Sequence, residues 1–141
     1  MKRVLIYAFA LLTLVFSSCE KMSNETTYTF IENSSGYEYL ESEAPTGTKV
    51  TLEYVISEYT ESGLKIASNM VRNLPSGTTK KFKATEEAYY VTVKMQIELI
   101  AGNKSYDDVR YVSNVFLLKQ NCHTNIEITD KTLFQTREPG V

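Results

Sequence analysis

Several residue types that often carry chemistry are scarce in this chain of 141 residues. It has no tryptophan, one histidine and two cysteines. Zinc sites usually need three or four Cys, His or carboxylate ligands, and the CxxC and HxxxH spacings typical of them do not occur. Cys122 and His123 are adjacent, and neighbouring residues of an extended segment point to opposite faces. We therefore predict no metal centre, no cofactor and no catalytic Cys–His pair.

The chain also lacks an excess of positive charge. Its 15 Lys and Arg residues are outnumbered by 17 Asp and Glu residues, which gives a formal net charge of −2. A protein that binds nucleic acid usually presents a basic surface to the phosphate backbone. The composition therefore predicts no nucleic-acid partner.

Long apolar runs are missing except for one near the N-terminus. Residues 4–16 (VLIYAFALLTLVF) follow the basic start MKR and precede SSC. Thirteen helical residues span roughly 20 Å, which is shorter than the membrane's hydrocarbon core of roughly 30 Å. A basic start, a short apolar segment and small residues before a cleavage point are typical of a signal peptide. We predict a signal peptide over residues 1–18.

The residues at the end of this run indicate how the signal is removed. An ordinary secretory site needs small side chains in an A-x-A-like pattern, and cleavage before Cys19 would put Phe16 in one of those positions. The segment VFSSC instead resembles the lipobox of bacterial lipoproteins, and FSSC followed by EK is similar to lipoproteins of the Bacteroidetes. The resemblance implies that fatty acyl chains such as palmitate on Cys19 anchor the protein in the cell envelope, at the outer membrane. Two alternatives stay open: cleavage after Cys19, and a retained helix.

Cleavage before Cys19 would leave enough chain for one domain. It removes Lys2 and Arg3 with the signal, so that 123 residues with a formal net charge of −4 remain. This length suffices for a hydrophobic core. An acylated Cys19 could form no disulfide with Cys122, so the fold must be stabilised by burial alone. We predict a lipidated cysteine with a polar tether at 19–25 and a single domain at 26–141.

Apolar and polar residues alternate along much of this domain. The alternation is clearest in KVTLEYVISEY (49–59) and AYYVTVKMQIELI (88–100), and it predicts half-buried strands. No window of twelve residues after the signal shows a helical stripe. Further strands are predicted at 27–31, 64–71, 78–84, 109–119 and 124–134, between turn-forming clusters such as NSSG (33–36) and AGNKS (101–105). Strands with one apolar face need a second sheet to cover it, which predicts an all-β, antiparallel two-sheet β-sandwich of about seven strands.

One position adds a more specific resemblance. Tyr89 follows a turn and precedes the inward-facing Val91 by two residues, a setting similar to the tyrosine corner of immunoglobulin-like sandwiches. The core tryptophan and paired cysteines of true immunoglobulin domains are absent. The resemblance therefore implies an immunoglobulin-like architecture and no particular function.

Tyrosine is the most unusual feature of the composition, with ten residues. Aromatic side chains favour half-buried strand faces, so packing across strands is one interpretation. The other is that some tyrosines stack on a sugar or contact a protein partner, although the lack of tryptophan weakens the sugar interpretation. The candidate ligand-binding residues are Tyr37, Tyr39, Tyr59, Tyr90 and Tyr106.

Acidic residues supply the other candidate sites. Asp107 and Asp108 follow GNKSY in a predicted loop, where they could bind Ca²⁺ through carboxylate oxygens. A small hydrolase would need two carboxylates to converge in a concave site. The candidates for that role are Glu86, Glu87, Glu98, Asp107 and Asp108.

These observations favour a non-catalytic protein over an enzyme. We expect a membrane-anchored lipoprotein of the cell envelope whose β-sandwich binds a glycan or another envelope protein. Two alternatives remain: a small envelope hydrolase that uses loop carboxylates, and a structural subunit of a surface assembly whose edge strand pairs with the next copy.

The lipid anchor predicts a specific mass for the mature protein. In the native membrane fraction, the chain should begin at Cys19 and carry the added mass of two or three acyl chains, because two or more chains are needed for stable anchorage. Intact mass spectrometry measures this, and Cys19→Ala should abolish the added mass. An unmodified, soluble product would contradict the lipobox interpretation.

Overall fold

Nine strands and one short helix form the part of the chain that the structure, a computed structural model, describes, which is residues 24–140. The predicted signal peptide and Cys19 lie outside the described residues. The helix is α1 (Gly36–Glu43), and nothing in the described part is helical and apolar over a length that could cross a membrane. The strands are β1 (Thr27–Asn33), β2 (Lys49–Tyr59), β3 (Lys65–Arg72), β4 (Thr78–Lys83), β5 (Tyr90–Ala101), β6 (Lys104–Val112), β7 (Phe116–Leu117), β8 (His123–Thr129) and β9 (Phe134–Gln135).

The strands form two sheets of unequal size. The smaller sheet has the order β4-β1-β8, and the larger has the order β3-β2-β5-β6-β9 with β7 paired to β5. This confirms the predicted all-β sandwich. The strand number exceeds the predicted seven because each of the two segments predicted last is divided between two strands: 109–119 between β6 and β7, and 124–134 between β8 and the first residue of β9. One pair is parallel rather than antiparallel, since β1 and β8 run in the same direction with Thr27 opposite His123.

Helix α1 lies between β1 and β2, where we predicted turn-forming residues at 33–36 and neither a helix nor a strand at 37–43. It begins after Ser35, whose backbone N–H and hydroxyl both donate to Asp130 Oδ1, and it ends at Glu43, with Ala44 as the cap before Pro45. Tyr37 and Leu40 pack against the core, and no residue of the helix is fully buried. A helix of eight residues with so small an apolar face leaves no stripe in a window of twelve residues, which explains why the sequence pattern missed it.

The core lies between the two sheets and consists mainly of alternate residues of the long strands. In β2 the buried positions Leu52, Tyr54 and Ile56 follow the predicted alternation. The remaining core residues come from both sheets and from the loops at their ends: Tyr28, Phe30, Val71, Ala84, Ala88, Val91, Val93, Val112, Leu118, Ile126 and Ile128.

Two glutamates are buried in this core, and each belongs to a five-residue segment of the same pattern. The segments are YTFIE (28–32) in β1 and YVISE (54–58) in β2. Each presents a tyrosine, an apolar residue and a glutamate on its inward face. Glu32 and Glu58 are each only 1 % exposed.

At one end of the sandwich, Glu58 of the larger sheet meets Tyr28 of the smaller sheet. The Tyr28 hydroxyl donates to Glu58 Oε2 at 2.9 Å, and the Asn69 side-chain amide donates to the same oxygen at 3.3 Å. The backbone N–H of Thr85 donates to Glu58 Oε1 at 2.7 Å. A buried carboxyl group is tolerated when its oxygens are hydrogen-bonded in this way. Burial is the main cause that raises the pKa of the Tyr28 phenol above its ordinary value.

In a second tyrosine–glutamate pair, the glutamate belongs to β1 and the tyrosine to β2. Glu32 of β1 accepts hydrogen bonds at Oε1 from the Ser34 backbone N–H at 2.8 Å and from the Ser34 hydroxyl at 2.6 Å. The phenol of Tyr54 in β2 lies close enough that Glu32 adds to the effect of burial in raising its pKa. Between the two pairs, the Phe30 and Tyr54 rings pack with their centroids 5.0 Å apart. The same sequence pattern therefore places a tyrosine of one sheet beside a buried glutamate of the other in both directions. Of the two pairs, Tyr28–Glu58 is joined by a hydrogen bond between the sheets, whereas Glu32 accepts its hydrogen bonds from Ser34.

Replacing Glu58 with glutamine should destabilise the fold by about 1–3 kcal/mol, because both carboxyl oxygens accept hydrogen bonds and the amide, in either orientation, turns its NH2 group towards a donor. Urea denaturation measures the free energy of unfolding. The matched control is Glu86→Gln in an exposed turn, which should change stability by less than about 0.5 kcal/mol. Equal effects of the two substitutions would show that the buried hydrogen bonds contribute nothing specific.

Candidate binding face of the larger sheet

The outer face of the larger sheet carries a polar groove of about 270 Å³. Its residues are those that alternate with the core positions of β2 and β5, together with the end of β3. Thr51 lies opposite Glu98, and Glu53 lies opposite both Gln96 and Arg72. The lining residues are Lys49, Thr51, Glu53, Arg72, Gln96 and Glu98.

The charges of the groove are balanced. Two cationic and two anionic side chains line it. One of each forms an ion pair, in which Arg72 Nη2 lies 2.7 Å from Glu53 Oε2. An ion pair at the surface contributes only about 0–1 kcal/mol to stability, so these groups remain available to a ligand. Hydroxyl, amide and carboxyl groups side by side offer both donors and acceptors. The arrangement suits a polar ligand of low net charge.

The outer face continues beyond the groove to a pair of tyrosines at the end of β2 and the start of β5. The rings of Tyr59 and Tyr90 are stacked, with centroids 5.0 Å apart and planes inclined by 5°. Glu138, from the segment after β9, accepts hydrogen bonds at Oε1 from the Tyr59 hydroxyl and, at 2.8 Å, from the Thr92 hydroxyl. Burial, and after it the hydrogen bond to Glu138, raises the pKa of Tyr59 to about 12.

The five candidate tyrosines do not form one surface. Tyr39 on α1 and Tyr106 on β6 are exposed, at 62 % and 57 %. Tyr37 and Tyr59 are half-buried. Tyr90 was predicted to be accessible and is only 5 % exposed. That prediction was wrong because the start of β5 is covered on both faces, whereas the alternation pattern assumes that one face is open to solvent.

The predicted calcium ligands do not share a site. Asp107 and Asp108 lie within β6 and not in a loop, and they pair with Glu98 and Ile97 of β5. Consecutive strand residues point to opposite faces of the sheet, so the two carboxyl groups cannot bind the same ion. Asp108 instead lies 2.5 Å from Arg110 Nη1. Within residues 24–140, no group of three or more His, Cys, Asp or Glu side chains is placed to hold a metal ion.

The candidate hydrolase carboxylates lie in two separate places. Glu86 and Glu87 are exposed in the turn before β5, whereas Glu98 and Asp107 face each other near the opposite end of that strand. The eight residue steps from Tyr90 to Glu98 span roughly 26 Å at about 3.3 Å per step. The five acids therefore do not form one cluster, and the two that lie side by side are Glu98 and Asp107 on the sheet face. The buried pair Glu32 and Glu58 was not anticipated, and the repeated pattern YTFIE and YVISE is the signal that could have indicated it.

The adjacent Cys122 and His123 also point to different surroundings. Cys122 is buried. His123 lies on the outer face of the smaller sheet, with Nδ1 2.7 Å from Thr27 Oγ1 and Nε2 2.9 Å from Thr29 Oγ1. The imidazole thus bridges two threonine hydroxyls of the neighbouring strand. The side chain of Tyr89, whose position resembles that of a tyrosine corner, is 38 % exposed.

The environment of Tyr59 predicts a measurable titration. Its pKa is about 12 in the folded chain against an ordinary value of 10.0, so the folded state holds this proton more tightly than the unfolded state. The contribution of Tyr59 to stability is therefore complete below pH 10 and is lost as the pH rises towards 12. Absorbance at 295 nm should show Glu138→Gln shifting this step below pH 12, and Tyr59→Phe should remove it. An unshifted step in Glu138→Gln would contradict the contact between Glu138 and Tyr59.

The groove residues could have been anticipated in part, because the sequence already assigns Thr51, Glu53, Gln96 and Glu98 to the polar positions of two neighbouring strands. The alternation of polar and apolar residues could not show that the outer face of the larger sheet is open at the groove and covered near Thr92. Comparison with models of protein families, with curated proteins and with solved structures finds no match for this chain.

Proposed function

We propose that this chain is a lipid-anchored protein of the bacterial cell envelope, held at the outer membrane through Cys19. The β-sandwich serves as a non-catalytic module that binds an envelope glycan on the outer face of its larger sheet. The lipobox-like VFSSC segment supports the anchor. The open polar groove of that sheet supports the binding role.

The position of the domain relative to the anchor fits this proposal. The first strand begins at Thr27, eight residues after Cys19. Eight extended residues reach at most about 28 Å, which keeps the module close to the membrane surface. A ligand of this module would therefore be a component of the envelope near the membrane.

The groove itself is the observation that carries the binding role. It joins three strands of a rigid sheet, so its side chains hold fixed relative positions without a loop that must become ordered. Its lining is polar and its charges are balanced. Hydroxyl groups of a glycan can both donate to the carboxyl and amide oxygens and accept from the Lys49 and Arg72 side chains.

The distribution of acids supports a binding role over hydrolysis. A glycosidase of the usual kind needs two carboxyl groups facing a scissile bond. In the groove, Glu53 forms a surface ion pair with Arg72, and Glu98 of β5 lies opposite Asp107 of β6. This arrangement supplies hydrogen bonds on an open surface and no enclosed acid–base pair.

Loss of groove side chains should weaken capture of the envelope component. We expect the double variant Gln96→Ala with Glu98→Ala, made in the full lipidated chain, to bind isolated envelope glycan at least fivefold more weakly, since it removes two hydrogen-bonding groups from the groove. Cosedimentation with peptidoglycan sacculi measures the binding.

The control for this experiment carries two alanine substitutions on the outer face of the other sheet. Thr79→Ala with Asn125→Ala alters the outer face of the smaller sheet and should bind like the unchanged chain. Failure of the unchanged chain to bind sacculi, or equal losses in both double variants, would argue against the proposed binding face.

A further inference from the structure

The segment that follows β9 crosses the outer face of the larger sheet. Strand β9 pairs with the far side of β6, where Gln135 lies opposite Tyr111. Three residues later, Glu138 reaches Tyr59 of β2 and Thr92 of β5. We call residues 136–140 the C-terminal strap. Because β5 and β2 lie beyond β6 in the sheet order, the strap must run over the face and not along the edge.

Outward-facing residues of β2 and β5 are more deeply buried at the strap end of the sheet than at the groove end. At the strap end, Thr92 is 1 % exposed and Ser57 is 4 % exposed, although both point away from the core. At the groove end, the outward residues Thr51, Gln96 and Glu98 of the same two strands are half-exposed. A solvent-facing sheet surface normally keeps small polar residues accessible. The low exposure of Thr92, which Glu138 contacts, and of its cross-strand neighbour Ser57 therefore requires an additional cover.

The strap is held by few interactions. Strand β9 contributes two residue pairs, with Tyr111 and Val112. Beyond it, Glu138 supplies the hydrogen bonds to the sheet, and the Gln135 side chain donates to the Arg137 carbonyl oxygen within the segment at 2.6 Å. Hydrogen bonds at an exposed residue each contribute only about 1 kcal/mol. A segment held in this way can leave the surface without unfolding the sheet.

The surface beneath the strap continues the groove. Tyr59 and Thr92 lie on the same outward face of β2 and β5 as Thr51 and Gln96, further along the strands. We propose that the C-terminal strap is a displaceable cover, and that its release extends the groove by the Tyr59 aromatic surface and the Thr92 and Ser57 hydroxyls, which together accept a longer glycan. This inference rests on the proposed glycan-binding function of the groove.

The chemistry of the extension suits a sugar chain. An aromatic ring offers a flat apolar surface on which the C–H face of a sugar can pack, and the neighbouring hydroxyl groups can bond to its own hydroxyls. In the closed state, Glu138 takes the Tyr59 and Thr92 donors for itself. The glycan and the Glu138 carboxyl group therefore compete for the same hydroxyl groups.

Release of the strap can be measured without a ligand. In hydroxyl-radical footprinting of the full chain, Glu138→Ala, which removes the acceptor oxygen of both hydrogen bonds, should increase the oxidation rate of the half-buried Tyr59 at least twofold. Tyr39 and Tyr106 are exposed already, so their unchanged rates serve as internal controls. Glu127→Ala, at an exposed acid on the smaller sheet that accepts from Asn33, is the matched control and should leave the Tyr59 rate unchanged. An unchanged rate for Tyr59 in Glu138→Ala would show that the strap does not cover this residue.

The second measurement tests what the strap covers. Cosedimentation with peptidoglycan sacculi should show that Glu138→Ala binds at least threefold more tightly than the unchanged chain or Glu127→Ala, and that adding Tyr59→Ala cancels the gain. Increased exposure of Tyr59 with no gain in binding would overturn the glycan extension. If no form of the chain binds sacculi, the proposed function fails, whereas the footprinting result still decides whether the strap opens.

Discussion

The relative position of the two sheets depends on a buried hydrogen bond that Tyr28 of the smaller sheet donates to Glu58 of the larger sheet. Glu32 of the smaller sheet lies beside Tyr54 of the larger, and its Oε1 accepts from Ser34, two residues along its own chain. Apolar contacts tolerate sliding, whereas the Glu58 carboxyl group must find its donors at one relative position of the sheets or remain unsatisfied at a cost of about 1–3 kcal/mol. The Tyr28–Glu58 contact therefore sets how β1 lies across β2, and the remaining strands pair with these two directly or through a neighbouring strand.

This arrangement determines which surface is left for binding. The inward residues of β1 and β2 are occupied by the core and its buried network, so a ligand must use an outer face. The larger sheet has the longer strands, up to the twelve residues of β5, and its outer face holds both the groove and the surface beneath the C-terminal strap. The side chains proposed to bind a ligand therefore lie outside the buried network that holds the two sheets together.

The sequence predicted the features that depend on period-two alternation. It placed β2 and β5 correctly and led to a two-sheet sandwich, because half-buried strands must cover one another. It failed where tertiary contacts override local pattern. Tyr90 is covered on a face that alternation leaves open, Asp107 and Asp108 extend β6 into a predicted loop, and α1 is too short for a helical period to show. The buried glutamates were readable only by comparing YTFIE with YVISE, and their contacts require knowing that these strands face each other.

The energetic coupling between Tyr28 and Glu58 is the first quantity to measure. A double-mutant cycle of Tyr28→Phe and Glu58→Gln, with the free energy of unfolding from urea denaturation, isolates the interaction between the two side chains from their separate contributions. If the buried pair holds the sheets together, the coupling should be at least about 1 kcal/mol. A coupling indistinguishable from zero, with the two single losses simply additive, would show that apolar packing alone sets the relative position of the sheets.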